Sequence, residues 1–350
     1  MNSLRRNSLA GAGLLLASLL IASPSAFAQF TGPKPMTLLN GWKNAPFATS
    51  NVTAEEVSGI VQLRGAVASG TTSQLFVLPV GLRPPAEVWV AADLCNSTNG
   101  RVVITTAGQV SVQQQGGGLT DAQCFTSLDG VSFAASVSGF QALTLINGWV
   151  TAGFGNGAPG VAKINGMVYL KGAMSTTATD MNPFVLPAAF RPATDVYVHA
   201  DLCNATNGRL HIQPTGNVDV ETEGGVIANA QCFTSLDGIS FKIPSIPFTA
   251  LTPINGWTGG PFATATPKAG NSYGLVYFQG AIRTAGTNPV AFTLPAAFRP
   301  VTNVYVPVDL CDATKGRLFI QTNGTVTVQF ETVFSNAQCF TSLDGVSFVQ

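Results

Sequence analysis

Residues 201–209 read DLCNATNGR, and the same nine positions return as DLCNSTNGR at 93–101 and DLCDATKGR at 309–317. Working outward from this stretch, every neighbouring motif returns with it. LPVGLRP (78–84) reappears as LPAAFRP at 186–192 and 294–300, and AQCFTSLDGVSF (122–133) reappears at 230–241 and 337–348. Upstream, MTLLNGW (36–42), LTLINGW (143–149) and LTPINGW (251–257) open each copy. Copies that open at positions 36, 143 and 251 have a domain-sized period, far beyond the roughly 20–50 residues of solenoid repeats. The chain is therefore expected to hold three tandem domains over 36–134, 143–242 and 251–350, each long enough to bury its own core.

Within a copy, the patterning is that of strands. GIVQLRGAV (59–67), EVWVAADLC (87–95), GRVVIT (100–105) and QVSVQ (109–113) alternate or run in β-branched residues. Pro79, Pro84, Asn99-Gly100, Gly108 and Asp129-Gly130 cut them at short intervals, and Asn-Gly and Asp-Gly suit tight hairpin turns. No copy carries a ten-residue amphipathic helical pattern. Seven or eight short strands in about 100 residues predict an all-β chain of three β-sandwiches, jelly-roll-like or Ig-like.

The six cysteines obey the same period. Cys95 and Cys124, Cys203 and Cys232, and Cys311 and Cys339 are equally spaced to within one position. Equal spacing at equivalent positions predicts one bridge inside each copy. A zinc site would need a C-x₂-C pair or a shared histidine, and no copy offers either.

Residues 1–28 combine Arg5 and Arg6, the apolar run LAGAGLLLASLLIA and the small-x-small triplet Ala26-Phe27-Ala28. This is the pattern of a secretory leader cleaved near Ala28, which predicts a periplasmic or secreted protein in a disulfide-forming compartment. The leader takes two of 17 basic and none of 17 acidic residues, so the chain from Gln29 onward has a net charge of −2. Without a basic stripe, nucleic acid is not an expected partner, and no later apolar run is long enough for membrane insertion.

Trp42, Trp149 and Trp257 occupy one position in every copy, just inside the expected first strand. Aromatic faces can stack on sugar rings, which makes these three the candidate ligand-binding residues; Leu39, Ile146 and Ile254 before them argue instead for a buried core or interface position, with each Asn-Gly a bulge or turn that aims the Trp inward. Asp93, Asp201 and Asp309, with Asn96, Asn204 and Asp312, are closely spaced oxygen donors. They lack the EF-hand spacing for calcium and are expected to brace their own loop by Asx-type bonds. Arg101, Arg209 and Arg317 are placed to pair with those aspartates. Asp129, Asp237 and Asp344 sit in Asp-Gly turns. His199 and His211 occur in the second copy alone, so no repeated nucleophile–base set or carboxylate pair is visible. The reading is a non-enzymatic protein without a metal or other cofactor.

The order Asn-Gly-Trp, then Gly166, Val168, Leu170 and Gly172 in a G-x-V-x-L-x-G strand, then LP…RP, GR-x-x-I…G-x-V-x-V and SLDGISF, resembles the C-terminal head domains of phage tail-fibre and receptor-binding proteins. The likeness runs almost end to end through each copy. It differs in the leader, the cystine in each copy and the three copies in one chain. The resemblance implies small β-sandwiches that assemble as trimers and attach to host-surface glycans or proteins. A chain with three copies is then expected to build that trimer within one monomer, around a pseudo-threefold axis. The joints 134–142 and 242–250 are short, and Val137, Phe140, Ile243, Ile246 and Phe248 give them an apolar character unlike slack Gly/Ser tethers. The function expected from all this is adhesion to a cell-surface carbohydrate or protein; the alternative is a structural envelope or appendage protein without a small ligand.

Overall fold

The computed structural model describes residues 30–243 and 247–350. The leader and its expected cleavage point, and Ile246 of the second joint, lie outside the described residues. The described chain is all-β, with one helix of five or six residues per copy, each ending at the second cysteine (Thr120–Cys124, Ile227–Cys232, Phe334–Cys339).

Each copy folds three antiparallel sheets around one core. In the first copy, Phe30–Pro35, Thr53–Val57, Ile60–Arg64 and Ser132–Ala134 form one sheet in that order. Thr126–Ser127, Ala66–Ala68 and Lys43–Asn44 form a second, and Gln74–Val77, Gln109–Gln114, Asn99–Ile104 and Val88–Asp93 a third. The other copies repeat this arrangement. The strand read as GIVQLRGAV breaks at Gly65, where the chain passes from the first sheet to the second. Gly65 has φ +93°, and a Cβ there would lie 2.5 Å from the Ser50 carbonyl, so only glycine fits. Gly172 and Gly280 repeat this break at φ +87° and +94°.

The three bridges are Cys95–Cys124, Cys203–Cys232 and Cys311–Cys339, as the spacing predicts. Each ties the start of one loop to the end of the short helix, and a loop of that length is worth roughly 3–4 kcal/mol by chain entropy.

The copies close on one another in a ring. Arg101 Nη1 donates to Asp201 Oδ2 (3.3 Å), Arg209 Nη1 to Asp309 Oδ2 (3.0 Å) and Arg317 Nη1 to Asp93 Oδ2 (2.9 Å). First grips second, second grips third, third grips first. In the opposite sense, Ser127, Ser235 and Ser342 donate their hydroxyls to the carbonyls of Tyr305, Trp89 and Tyr197 at 2.6, 2.5 and 2.5 Å. The edge strands Val88–Asp93, Val196–Asp201 and Val304–Asp309 each meet the other two, so they surround the pseudo-threefold axis. Their alternation explains the arrangement: Val88, Val90 and Ala92 face the core, while Trp89, Ala91 and Asp93 face the neighbouring copy.

The core position argued for the three tryptophans is borne out, and three other expectations need correction. The three tryptophans are 3–5% exposed and belong to the three separate cores, with each indole N–H given to the carbonyl of Thr72, Asp180 or Asn288 at 2.9 Å. Trp42, Trp149 and Trp257 therefore offer no face to a ligand. The residues before them form no strand: Asn40-Gly41 has φ +50° and +76°, a tight turn that aims Trp42 inward. Asp93, Asp201 and Asp309 do not brace their own loops; their carboxylates cross to another copy's arginine. The joints also differ, since Gln141–Ala142 and Thr249–Ala250 already pair as edge strands of the following copy, and Val137 is exposed. Phe140 and Phe248 do pack, in a small cluster with Ile60, Tyr169 and Tyr277 that joins all three copies.

Candidate functional site

At each copy–copy junction the edge strand lays an aromatic residue beside a phenylalanine from the neighbour. Between copies three and one, Tyr305 meets Phe125 edge-on at 5.0 Å and Phe125 meets Phe47 at 5.6 Å. Tyr305 also stacks on Phe319 at 4.6 Å, because the register places them directly opposite on paired strands. Arg317 lies over the Tyr305 ring at 4.9 Å, a cation–π contact that fixes the guanidinium. Phe47, Cys95, Asn96, Phe125, Tyr305 and Arg317 line a groove of about 140 Å³.

The arrangement recurs with substitutions. Between copies one and two, Trp89 lies 4.5 Å from Phe233 and 5.5 Å from Phe154, with Arg101 4.0 Å above the indole. Between copies two and three, Tyr197 meets Phe340 at 5.2 Å, Phe340 meets Phe262 at 5.6 Å, and Arg209 covers Tyr197 at 4.8 Å. Phe262 also lines a cleft of about 640 Å³ with Thr258, Arg283, Thr284 and Gln338.

One member of each cluster faces solvent. Phe47, Phe154 and Phe262 are 61%, 48% and 56% exposed. Phe47 and Ala48 have φ +54° and +61°, and Phe262 and Ala263 have +51° and +60°. Left-handed backbone costs an L-residue roughly 1–2 kcal/mol, and here it is held twice in succession to present a bare phenylalanine. Compared with known proteins, the chain matches no family model, no curated protein and no solved structure.

Sequence reasoning passed over these phenylalanines, although APFAT (45–49) and GPFAT (260–264) repeat them and GFGNG (153–157) varies them. Their proximity to the partner copy's aromatic edge is a tertiary fact. The left-handed backbone carries no sequence mark either, because neither Phe nor Ala is a usual resident there. Asn96, Asn204 and Asp312 are more legible: their φ values are +57°, +58° and +57°, the conformation that Asn and Asp tolerate best.

The two histidines do not form one centre. His199 lies buried near the axis with no hydrogen bond at either ring nitrogen among the described residues, and burial pushes its pKa down to about 3. His211 stacks on Tyr197 at 4.2 Å and faces Asp195 at 3.3 Å and Glu221 at 3.5 Å.

The Asp-Gly turns are buried acceptors. Asp129, Asp237 and Asp344 each take the N–H of Gly65, Gly172 or Gly280 at 2.9–3.0 Å, while their second oxygens have no partner among the described residues. Burial raises their pKa values to about 7, 7 and 8. Since the folded value exceeds the unfolded one, their contribution is fully present below about pH 4 and is lost as pH rises through 7–8. His199 acts oppositely, its contribution fading as pH falls from 6.5 toward 3, but three carboxyls outweigh one imidazole. Thermal stability is thus expected to fall between pH 5.5 and 8.5. Asp344→Asn, which keeps the acceptor for Gly280, should lie above the parent at pH 8.5 and flatten the curve in a pH series of melting temperatures.

Proposed function

We propose that this chain is a non-enzymatic, multivalent binding protein that engages a cell-surface carbohydrate or protein through the three aromatic clusters at its junctions. The observation that carries the reading is the recurrence, at every junction, of an exposed phenylalanine in one aromatic cluster with a neighbour's ring. Aromatic faces supply apolar stacking at little entropic cost. Three weak sites on one rigid body gain apparent affinity by avidity on a surface that displays many copies of the ligand. The likeness to receptor-binding heads of phage fibres supports the same role, and the leader and three bridges fit a task outside the cytoplasm.

The test is an array of immobilised cell-surface glycans and a binding assay on intact cells, with the leaderless chain and with a Phe47→Gly, Phe154→Gly, Phe262→Gly variant. Glycine accepts the left-handed backbone at 47 and 262, and Phe154 is half exposed, so the variant should fold as before. Its apparent affinity is expected to fall at least about tenfold, the scale of losing aromatic anchors. Undiminished binding would move the site elsewhere, and absence of any binding by the parent would favour the structural alternative.

A further inference from the structure

At the axis the three copies are not equal. Lys315 is fully buried, and its Nζ donates to Asp93 Oδ1 at 2.8 Å, to the Ser97 carbonyl at 3.0 Å and to the Thr98 carbonyl at 2.7 Å. Asp93 thereby serves two cations, Lys315 through Oδ1 and Arg317 through Oδ2. One junction back around the ring, the corresponding residues are Asn207, Asp309, Ala313 and Thr314. Asp309 Oδ2 holds Arg209 as Asp93 Oδ2 holds Arg317, at 3.0 and 2.9 Å. Asn207 is too short to do what Lys315 does, and its amide N–H reaches only the Ala313 carbonyl. Asp309, 1% exposed, keeps a buried Oδ1 with no hydrogen bond among the described residues, whereas the Asn207 side chain also faces the His199 ring.

We propose that a monovalent cation of potassium or ammonium size binds between copies two and three, held by Asp309 Oδ1 and the Ala313 and Thr314 carbonyls, where the Lys315 ammonium stands between copies three and one. Size argues for the large ion. The oxygens around the Lys315 nitrogen lie at 2.7–3.0 Å, beyond the roughly 2.3–2.6 Å at which calcium takes its ligands. Charge argues for one positive charge, since the Lys315 ammonium supplies one at the equivalent place between copies three and one. Ligand type agrees: among the described residues no three His, Cys, Asp or Glu side chains gather as a transition metal would need, whereas one carboxylate with backbone carbonyl oxygens suits a hard cation. The junction between copies one and two differs, because Asn99 turns instead to Gln115 and Glu331.

The experiment compares melting temperatures of the leaderless chain in potassium, ammonium and tetramethylammonium chlorides at one ionic strength. Potassium and ammonium are expected to raise the midpoint by about 2–4 °C over tetramethylammonium, by mass action on the folded state. Asn207→Lys, which copies the Lys315 arrangement, should abolish the difference. Equal midpoints in the three salts for the parent would overturn the proposal, leaving the spot to water. So would a cation dependence that survives Asn207→Lys or Asp309→Asn unchanged, since the ion would then bind elsewhere. If Asn207→Lys does not fold, Lys315→Asn decides. It recreates at Asp93 the arrangement of Asp309, and it should deepen the dependence; an unchanged dependence contradicts the proposal.

Discussion

Asp93→Ala is expected to destabilise the whole chain by about 3–5 kcal/mol, the cost of stripping a buried charge of its partner. Two cations lose their counter-ion at once, since Lys315 and Arg317 converge on this carboxylate and the Lys315 side chain has no exposure. Asp201→Ala frees only Arg101, whose distance of 3.3 Å is also the longest of the three, so it should cost less. Burial pushes Lys315 down from the usual lysine range while Asp93 pulls it up. Without Asp93 the amine must fold uncharged, and that is hardest at low pH. The defect should therefore be larger at pH 6 than at pH 9, in denaturant titrations of parent and variant side by side. A defect under about 1 kcal/mol, the scale of exposed ion pairs, would mean that the ring pairs are solvated, not buried.

Trp257→Ala carries the second large effect. The indole is 3% exposed, sits in the third core and gives its N–H to the Asn288 carbonyl. Its removal should cost about 3–5 kcal/mol, as for other buried aromatic truncations. How the loss is distributed is equally informative. Copies that grip one another as a ring should unfold together, so the variant is expected to melt in one transition at a lower temperature. Three independent beads would instead show an early transition for the third copy alone, with the other two melting where they did before.

The sequence exposes what repeats and what alternates. Three copies, their strands and their bridges follow from DLCNATNGR and its kin, because spacing and period-two patterning are local properties. The burial of the tryptophans is legible in the Asn-Gly turn before each of them, which aims the ring inward; the apolar residues ahead of it misled, since Ile146 and Ile254 are 36% and 39% exposed. The partner of Asp93 could not be read at all. Arg101 stands close by along the same chain, but the copy-to-copy ring hands Asp93 to Arg317 instead. The groove between copies three and one is invisible for the same reason: Phe47 and Tyr305 belong to the first and last copies and line it together only because the third copy closes on the first.

That closure is the central claim, and small-angle scattering on the monomeric, leaderless chain tests it most directly. A closed body of about 320 residues should have a radius of gyration of about 20 Å by the size scaling of compact domains. The account predicts that value, unchanged by concentration. A radius of roughly 30 Å, as for three domains strung in a row, would contradict it.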